Sequence, residues 1–534
     1  MKKISLLFVL LAITAFAVAQ PGSAARNKTT EKFNTALYYL QTVYVDSVKQ
    51  DELTEHAIRG MLKKLDPHTV YMTQQEMKDA NEPLQGNFEG IGVTFNIIDD
   101  TITVVSATSG GPSEKAGIRP GDKIVKIDSV VSVGKVLSDN KVVKMLRGPK
   151  GSKVKVLIYR RSEKQLQEFE IVRDKIPIFS VDAAYMIDSE TGYIKINRFA
   201  ATTMKEFRDA LADLKGKGLR NLVLDLQGNS GGYLQTAIDL CDEFLGKDKL
   251  IVYTQGSHSP RQESKSKPEG IFESGKLIVL IDEGSASASE ITAGAVQDHD
   301  RALIVGRRSF GKGLVQNTYL LPDGSAMRIT TARYYTPSGR CIQRTYKDGV
   351  DAYYKDLKER SKHGELFSKD SIHVENDSLR YFTYAKRVVY GGGGIMPDFF
   401  VPLDTSFNTP YLMKLYSKGS IRTFTNNYVD KHRADIALRY PTFDEFKRNF
   451  VVDENMLNEL TAQATKDGVE KNEADLKVSA YTIKLQIKAL IANQVFKINE
   501  YYQIINSLNG ALVKALELLK DDTFDKMKIA YNQQ

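Results

Sequence analysis

From Ile176 to Pro402, apolar strand-like runs alternate with helical stretches, and this alternation constrains the fold more than any other feature of the 534-residue chain. "TGYIKINRF" leads into the helical "TMKEFRDALADLKGKG", then the apolar run "NLVLDLQ", a glycine turn and the helical "LQTAIDLCDEFLG". "KLIVLIDE", a helix beginning near Ser287 and "RALIVG" repeat the scheme. Apolar strands separated by covering helices predict a largely parallel sheet buried on both faces.

The chain is too long for one core, so three or four domains are expected. Residues 28–83 carry apolar positions at helical spacing (Phe33, Leu37, Leu40, Tyr44; then Ile58, Met61, Leu62, Leu65) and end at "LDPHTVYM". Residues 84–173 change to short β-type runs split by glycines, such as "GIGVTFNI", "TITVVSA" and "KVKVLIY". The alternating core occupies 174–403, with a charged, polar stretch at 347–380 read as a surface insertion. Residues 404–534 are mostly helical, and "AYTIKLQIKALIANQVF" is apolar on more than one face. Such a helix needs cover on two sides, from its own domain or from a second copy, so a homodimer is expected.

Composition excludes some functions. The formal charge of +8 includes Lys2 and Lys3, and no compact basic stripe with interleaved aromatics occurs, so nucleic-acid binding is not expected. "MKKISLLFVLLAITAFAVAQ" has a basic start, an apolar run and small residues at Ala17 and Ala19. That is the layout of a signal peptide spanning 1–19 and cut before Gln20, which points to export, most simply to the periplasm. Cys241 and Cys341 are the only cysteines, too few for a disulfide framework.

"EGSASASEITAGAVQDHD" (283–300) sets three serines at alternate positions before a helix. Ser287 and Glu290 fit the S-x-x-E capping box, a structural reading. The same position suits a nucleophile, because helix N-terminal N–H groups favour a developing oxyanion. His299 lies twelve residues on, roughly 18 Å along a continuous helix, so it cannot be the base, and Asp298 fails likewise. A lysine depressed by burial is the alternative. "GRRSFGKGLVQ" supplies Lys312. Gly306–Lys312 also matches the start of a phosphate-binding loop, but Gly313 replaces the hydroxyl residue and a strand follows, which argues against nucleotide binding.

Two resemblances follow from these and neighbouring motifs. "EGIGVTF", "GPSEKAGIRPGDKIVKID" and "LRGPKGSKVKVLIYR" resemble a PDZ domain. That implies capture of an extended peptide, its carboxylate held at the loop Gly90, Ile91, Gly92 and Val93. "DLQGNSGGYL", "DEGSASASEITAGAVQDH", "SFGKGLVQ", "PDGSAMRITTARYYTPSGR" and "GGGGIMPDFFVP", with "LDPHTVYM", resemble the C-terminal processing (tail-specific) proteases. The resemblance implies a multidomain α/β protein with a crotonase-like ββα protease core, an inserted PDZ domain and helical N- and C-terminal regions. It implies Ser287 as nucleophile, Lys312 as general base and Gln316 as its orienting group. The oxyanion donors would be the amide of Ala288 and that of Gly231 or Gly232. Gln316 lies roughly 13 Å along an extended strand from Lys312, so their contact requires a bend or two long side chains reaching toward each other. The implied partners are polypeptides with extended C-terminal tails and a second copy; an activator protein is left open and unidentified by the sequence, and no cofactor or metal is implied. A non-catalytic peptide-binding scaffold and a crotonase-type enzyme acting on CoA esters are the rival readings.

Overall fold

The computed structural model describes residues 28–98, 100–134, 138–160, 163–268, 270–372 and 379–531, so the expected signal segment 1–19 lies outside the described residues. The chain divides into two compact units, Met1–Lys64 and Leu65–Gln534. The first contains helices Lys28–Thr42 and Gln50–Leu62.

The second unit is built on a six-stranded sheet. Strand Val181–Met186 pairs antiparallel with Thr191–Ile196. From there Asn221–Asp225, Leu277–Ile281, Leu303–Gly306 and Phe399–Phe400 follow in order, each pair parallel. Two strands followed by helix Thr203–Gly216 form the ββα unit expected of the core. That helix buries Phe207, Leu211 and Leu214 on one stripe and stops before Gly218, whose φ of +97° suits glycine. Helices Leu234–Asp242 and Ala288–Asp298 cover the same face of the sheet. Every residue of Ala288–Asp298 is buried, and its small residues permit close approach: a Cβ on Gly294 would stand 2.8 Å from Thr336 Cγ2.

The opposite face, carrying Tyr193, Val223, Ile278, Leu280, Leu303 and Val305, packs on Leu512, Ala515 and Leu519 of helix Gly510–Lys520. The C-terminal region therefore completes the core around the central sheet. Helix Glu473–Val495 buries Ile483, Ile487 and Ile491 in a separate cluster with Phe424, Phe446 and Leu460. The apolar faces that motivated a homodimer are thus largely occupied by the chain itself.

A second sheet positions the site. Strand Leu314–Leu320 pairs with Ala326–Tyr335, whose other edge holds Val70–Met72 and Leu250–Gly256. This brings "LDPHTVYM" beside "GKGLVQ". Residues 84–173 form a five-stranded sheet with one added short strand, around Ile102, Ile124, Val156 and Ile158. The ladder Asn87–Gly90 with Asp174–Pro177 closes the base of this insert. Leu84 lies on the core side of that ladder, its carbonyl accepting the Ala201 N–H at 2.8 Å.

Candidate active site

The turn after strand Leu277–Ile281 delivers three serines to three environments. Ser285 is buried; its hydroxyl donates to the Leu226 carbonyl (2.8 Å) and accepts the Asp282 N–H (2.9 Å). Ser289 is buried and donates to the Asn229 carbonyl (2.8 Å). Ser287 lies between them, half-buried and lining a cleft of about 410 Å³. Its backbone sits at φ +55°, ψ −112°, a conformation that costs a non-glycine residue about 1–3 kcal/mol. The Ser287 N–H donates to Glu290 Oε2 (2.8 Å), and its carbonyl accepts the Tyr334 hydroxyl (3.2 Å). Next to it, the Ala286 N–H is held by the Asn229 carbonyl (3.0 Å).

Asn229 belongs to "QGNSGG", and its side chain donates to the Ile196 carbonyl (2.9 Å) and accepts the Gly231 N–H (2.9 Å). A Cβ on Gly231 would stand 2.8 Å from Ser287 Cβ, so only glycine fits against the serine. Gly232 takes part in a parallel bridge to Phe199 through its neighbours' groups, and its own N–H makes no hydrogen bond among the described residues.

Lys312 lies on the loop between strands Leu303–Gly306 and Leu314–Leu320 and lines the same cleft. Burial holds its pKa below the usual lysine value; the Arg328 charge adds to this, and Glu290 and Asp66 oppose it. Among the described residues its ammonium has no ion pair, and no direct hydrogen bond joins it to Ser287. Gln316 also lines the cleft. The ladder is irregular between Val315 and Gln316. The Gln316 amide donates to the His68 carbonyl. The structure records no bond from Gln316 to Lys312.

Sequence reasoning treated Glu290 as a helix cap, and the structure gives it a wider part. Fully buried, it accepts the N–H groups of Ser287 (2.8 Å), Gly311 (2.7 Å) and Lys312 (2.9 Å), and the Ser309 hydroxyl (2.5 Å). One carboxylate thus ties the serine turn to the lysine loop, and burial raises its pKa to about 7. The Tyr334 hydroxyl, donating to the Lys312 carbonyl (2.6 Å), makes a second tie.

His68 and Asp66 of "LDPHTVYM" were singled out only as part of a resemblance. His68 Nε2 meets the Tyr353 hydroxyl at 2.9 Å, and burial, with the Lys312 charge, lowers the imidazole pKa to about 4. Tyr353 belongs to helix Val350–Lys362, within the stretch expected to be a surface insertion. That expectation is corrected: Tyr353 and Arg360 are buried, and Arg360 donates to the carbonyls of Ser309 (3.1 Å) and Arg308 (2.9 Å) behind the lysine loop. The abundant charge hid one inward face.

His299 ends helix Ala288–Asp298 and approaches the Leu250 carbonyl at 2.7 Å, stacked on Tyr384. Asp298 pairs with Arg340 at 2.7 Å with both side chains fully buried, a structural duty. In the insert, Gly90 lies in the closing ladder, Ile91 is buried, and Gly92 turns the chain at φ +72°. Val93 opens strand Val93–Ile98, at the edge of its sheet.

Comparison with known proteins adds the following. Residues 190–354 match Peptidase family S41, and residues 103–160 match the PDZ domain. Residues 14–76 match the "Activating protease CtpB N-terminal domain", and 411–497 match a family of unknown function. The carboxy-terminal-processing protease of Bartonella bacilliformis is 38% identical over 320 residues, covering 59% of this chain and 73% of that protein. Carboxy-terminal processing protease CtpA of Bacillus subtilis is 34% identical over 63% of this chain and 71% of its own length. Among solved structures, the photosystem II D1 C-terminal processing protease aligns at 30% identity and a TM-score of 0.35, covering 58% of this chain and 83% of that chain.

Proposed function

Since the chain belongs to the carboxy-terminal-processing proteases, serine-type enzymes of peptidase family S41, we propose that it cuts polypeptides near their C-terminal tails with a Ser287–Lys312 dyad. One observation carries this reading. Of the three candidate serines, two have their hydroxyls committed to buried partners, and Ser287 alone lines the cleft that also holds a lysine of lowered pKa.

In this mechanism neutral Lys312 takes the Ser287 proton as Oγ attacks the scissile carbonyl. Lys312 then returns that proton to the leaving amine, and water resolves the acyl-enzyme. The Ala288 N–H, at the helix start, is one oxyanion donor. Between the two glycines Gly232 is favoured for the other, because the Gly231 N–H is already held by Asn229. Gln316 gives its N–H to His68, which leaves its amide oxygen to accept from Lys312.

The PDZ domain brings tails to this cleft by adding them to strand Val93–Ile98, with the loop Gly90–Gly92 at the carboxylate. We assign export, most simply to the periplasm, from the basic-apolar start of the sequence; a homodimer and an activating protein complete the proposal. The test is substitution at each serine. Ser287→Ala should abolish peptidase activity with the fold intact, while Ser285→Ala and Ser289→Ala retain turnover. A cleaving Ser287→Ala enzyme would overturn the assignment.

A further inference from the structure

Arg328 is a cation in the cleft with no counter-ion among the described residues. It stands on strand Ala326–Tyr335, paired across to Thr318 on one side and Val70 on the other. Half-buried, it lines the same cleft as Ser287 and Lys312. Other arginines around the lysine loop are paired: Arg307 with Glu283 (2.6 Å), Arg308 with Glu365 (2.5 Å) and Arg344 with Asp356 (2.6 Å). Among the described residues no carboxylate pairs with Arg328.

The nearby acids are already engaged. Asp66 accepts from the N–H groups of His68 (2.8 Å) and Thr69 (2.9 Å) and from the Thr330 hydroxyl (3.1 Å). Glu290 serves the four donors described above. Much of the remaining wall is apolar, including Leu84, Leu234, Ile291 and Leu314. A guanidinium presents a rigid fork of donors that matches a carboxylate, and part-burying it unpaired is unfavourable. The cleft thus has one strongly directional polar group that its own fold does not satisfy.

We propose that Arg328 holds a carboxylate of the bound polypeptide close to the scissile bond, either the chain's terminal carboxylate or an acidic side chain. The proposal rests on the Ser287–Lys312 cleft being the catalytic one. It places a preference for anionic tails in the cleft itself, separate from tail capture by the PDZ domain. It also carries an electrostatic signature. The Arg328 charge disfavours protonated Lys312, and a bound carboxylate offsets that charge, so an anionic substrate raises the pKa of the base.

Three peptides of one sequence test this with the full-length protein: Asn after the scissile bond with an amidated C-terminus, Asp in its place with the amide, and Asn with a free C-terminal acid. Wild-type enzyme should favour at least one anionic peptide over the neutral one by roughly tenfold in kcat/KM, the scale of a charge-assisted hydrogen bond. The peptide whose gain depends on Arg328 identifies the carboxylate. Arg328→Gln should erase the Asp peptide's gain, or cut the free acid's by the same factor, read as ratios to the neutral peptide at a pH above the acid limb of kcat; loss of the Arg328 charge should itself move that limb to higher pH on the neutral peptide. Arg328→Lys should keep the limb in place and retain only part of the gain. PDZ capture acts alike in wild type and variant, so it cancels in that comparison. In wild type the acid limb of kcat should lie at higher pH for the favoured anionic peptide, and this offset should vanish in Arg328→Gln. Unchanged peptide ratios in Arg328→Gln, or an equal loss on all three peptides, would overturn the proposal. Residual cleavage by Ser287→Ala, run alongside, would instead count against the cleft as the catalytic site.

Discussion

At the scale of single residues, the account depends on how Glu290 divides its two oxygens. Oε2 takes the N–H groups of Ser287 and Lys312, and Oε1 takes Gly311 and Ser309. In Glu290→Gln an NH2 group would replace one oxygen and face donors. Leaving a buried donor unsatisfied costs about 1–3 kcal/mol. The variant should therefore fold with a lowered melting temperature and lose most of its kcat, with a smaller change in KM. Thermal melts beside steady-state kinetics check this, and wild-type kcat would show that the carboxylate only caps a helix. Burial raises this carboxyl from 4.5 to about 7, so the folded state binds more protons than the unfolded chain between those values. Its contribution to stability is full below pH 4.5 and is lost as pH rises through 7. Ser287, Lys312 and Gln316 were legible as candidates because they sit in short motifs. Arg328 was not, because its place beside Lys312 depends on pairing Ala326–Tyr335 with Leu314–Leu320.

Among the elements, the alternation of apolar strands and helices gave the parallel sheet directly. Helix Ala288–Asp298 begins where the sequence placed it, near Ser287, but its burial on every side was not legible, since Ser289, Glu290, Gln297 and Asp298 are polar and buried. Helix Val350–Lys362 was misread for a like reason: it is mostly charged, and Tyr353 and Arg360 alone carry its buried role. The insert has a natural excision point. Cutting at 84 would remove Leu84 from the cleft and break the closing ladder, so the clean deletion replaces 91–173 with a short linker and keeps Asn87–Gly90 paired with Asp174–Pro177. That protein should fold and cleave short peptides at near-normal rates, while cleavage of long tailed proteins falls more steeply. Parallel assays on the two substrate lengths check this, and equal losses on both would remove the PDZ domain from substrate delivery.

For the whole molecule, the C-terminal region is helical, as its pattern predicts, and its last long helix packs on the central sheet. A helix apolar on several faces calls for cover, but periodicity does not say whose surface supplies it. Here helix Gly510–Lys520 covers the second face of the central sheet, most of whose strands lie more than 200 residues earlier in the chain, where a local pattern cannot reach. Deleting 404–534 would strip that face and unfold the core, so it cannot serve as a test of assembly. Leu512→Ala is the sharper probe. Removing a buried leucine costs about 2–5 kcal/mol, so this variant should melt earlier while its light-scattering mass matches that of the wild type. A change in mass without loss of stability would place Leu512 at a subunit interface instead.

The central assignment is tested most directly by a serine-reactive fluorophosphonate, with the adduct mapped to a single residue by mass spectrometry. Wild-type protein should take one label, on Ser287, at a rate that rises with pH as Lys312 loses its proton below the usual lysine range. Lys312→Arg should label far more slowly, because a guanidinium keeps its proton and cannot act as the base. Label on Ser285 or Ser289, or undiminished labelling of Lys312→Arg, would refute the Ser287–Lys312 dyad.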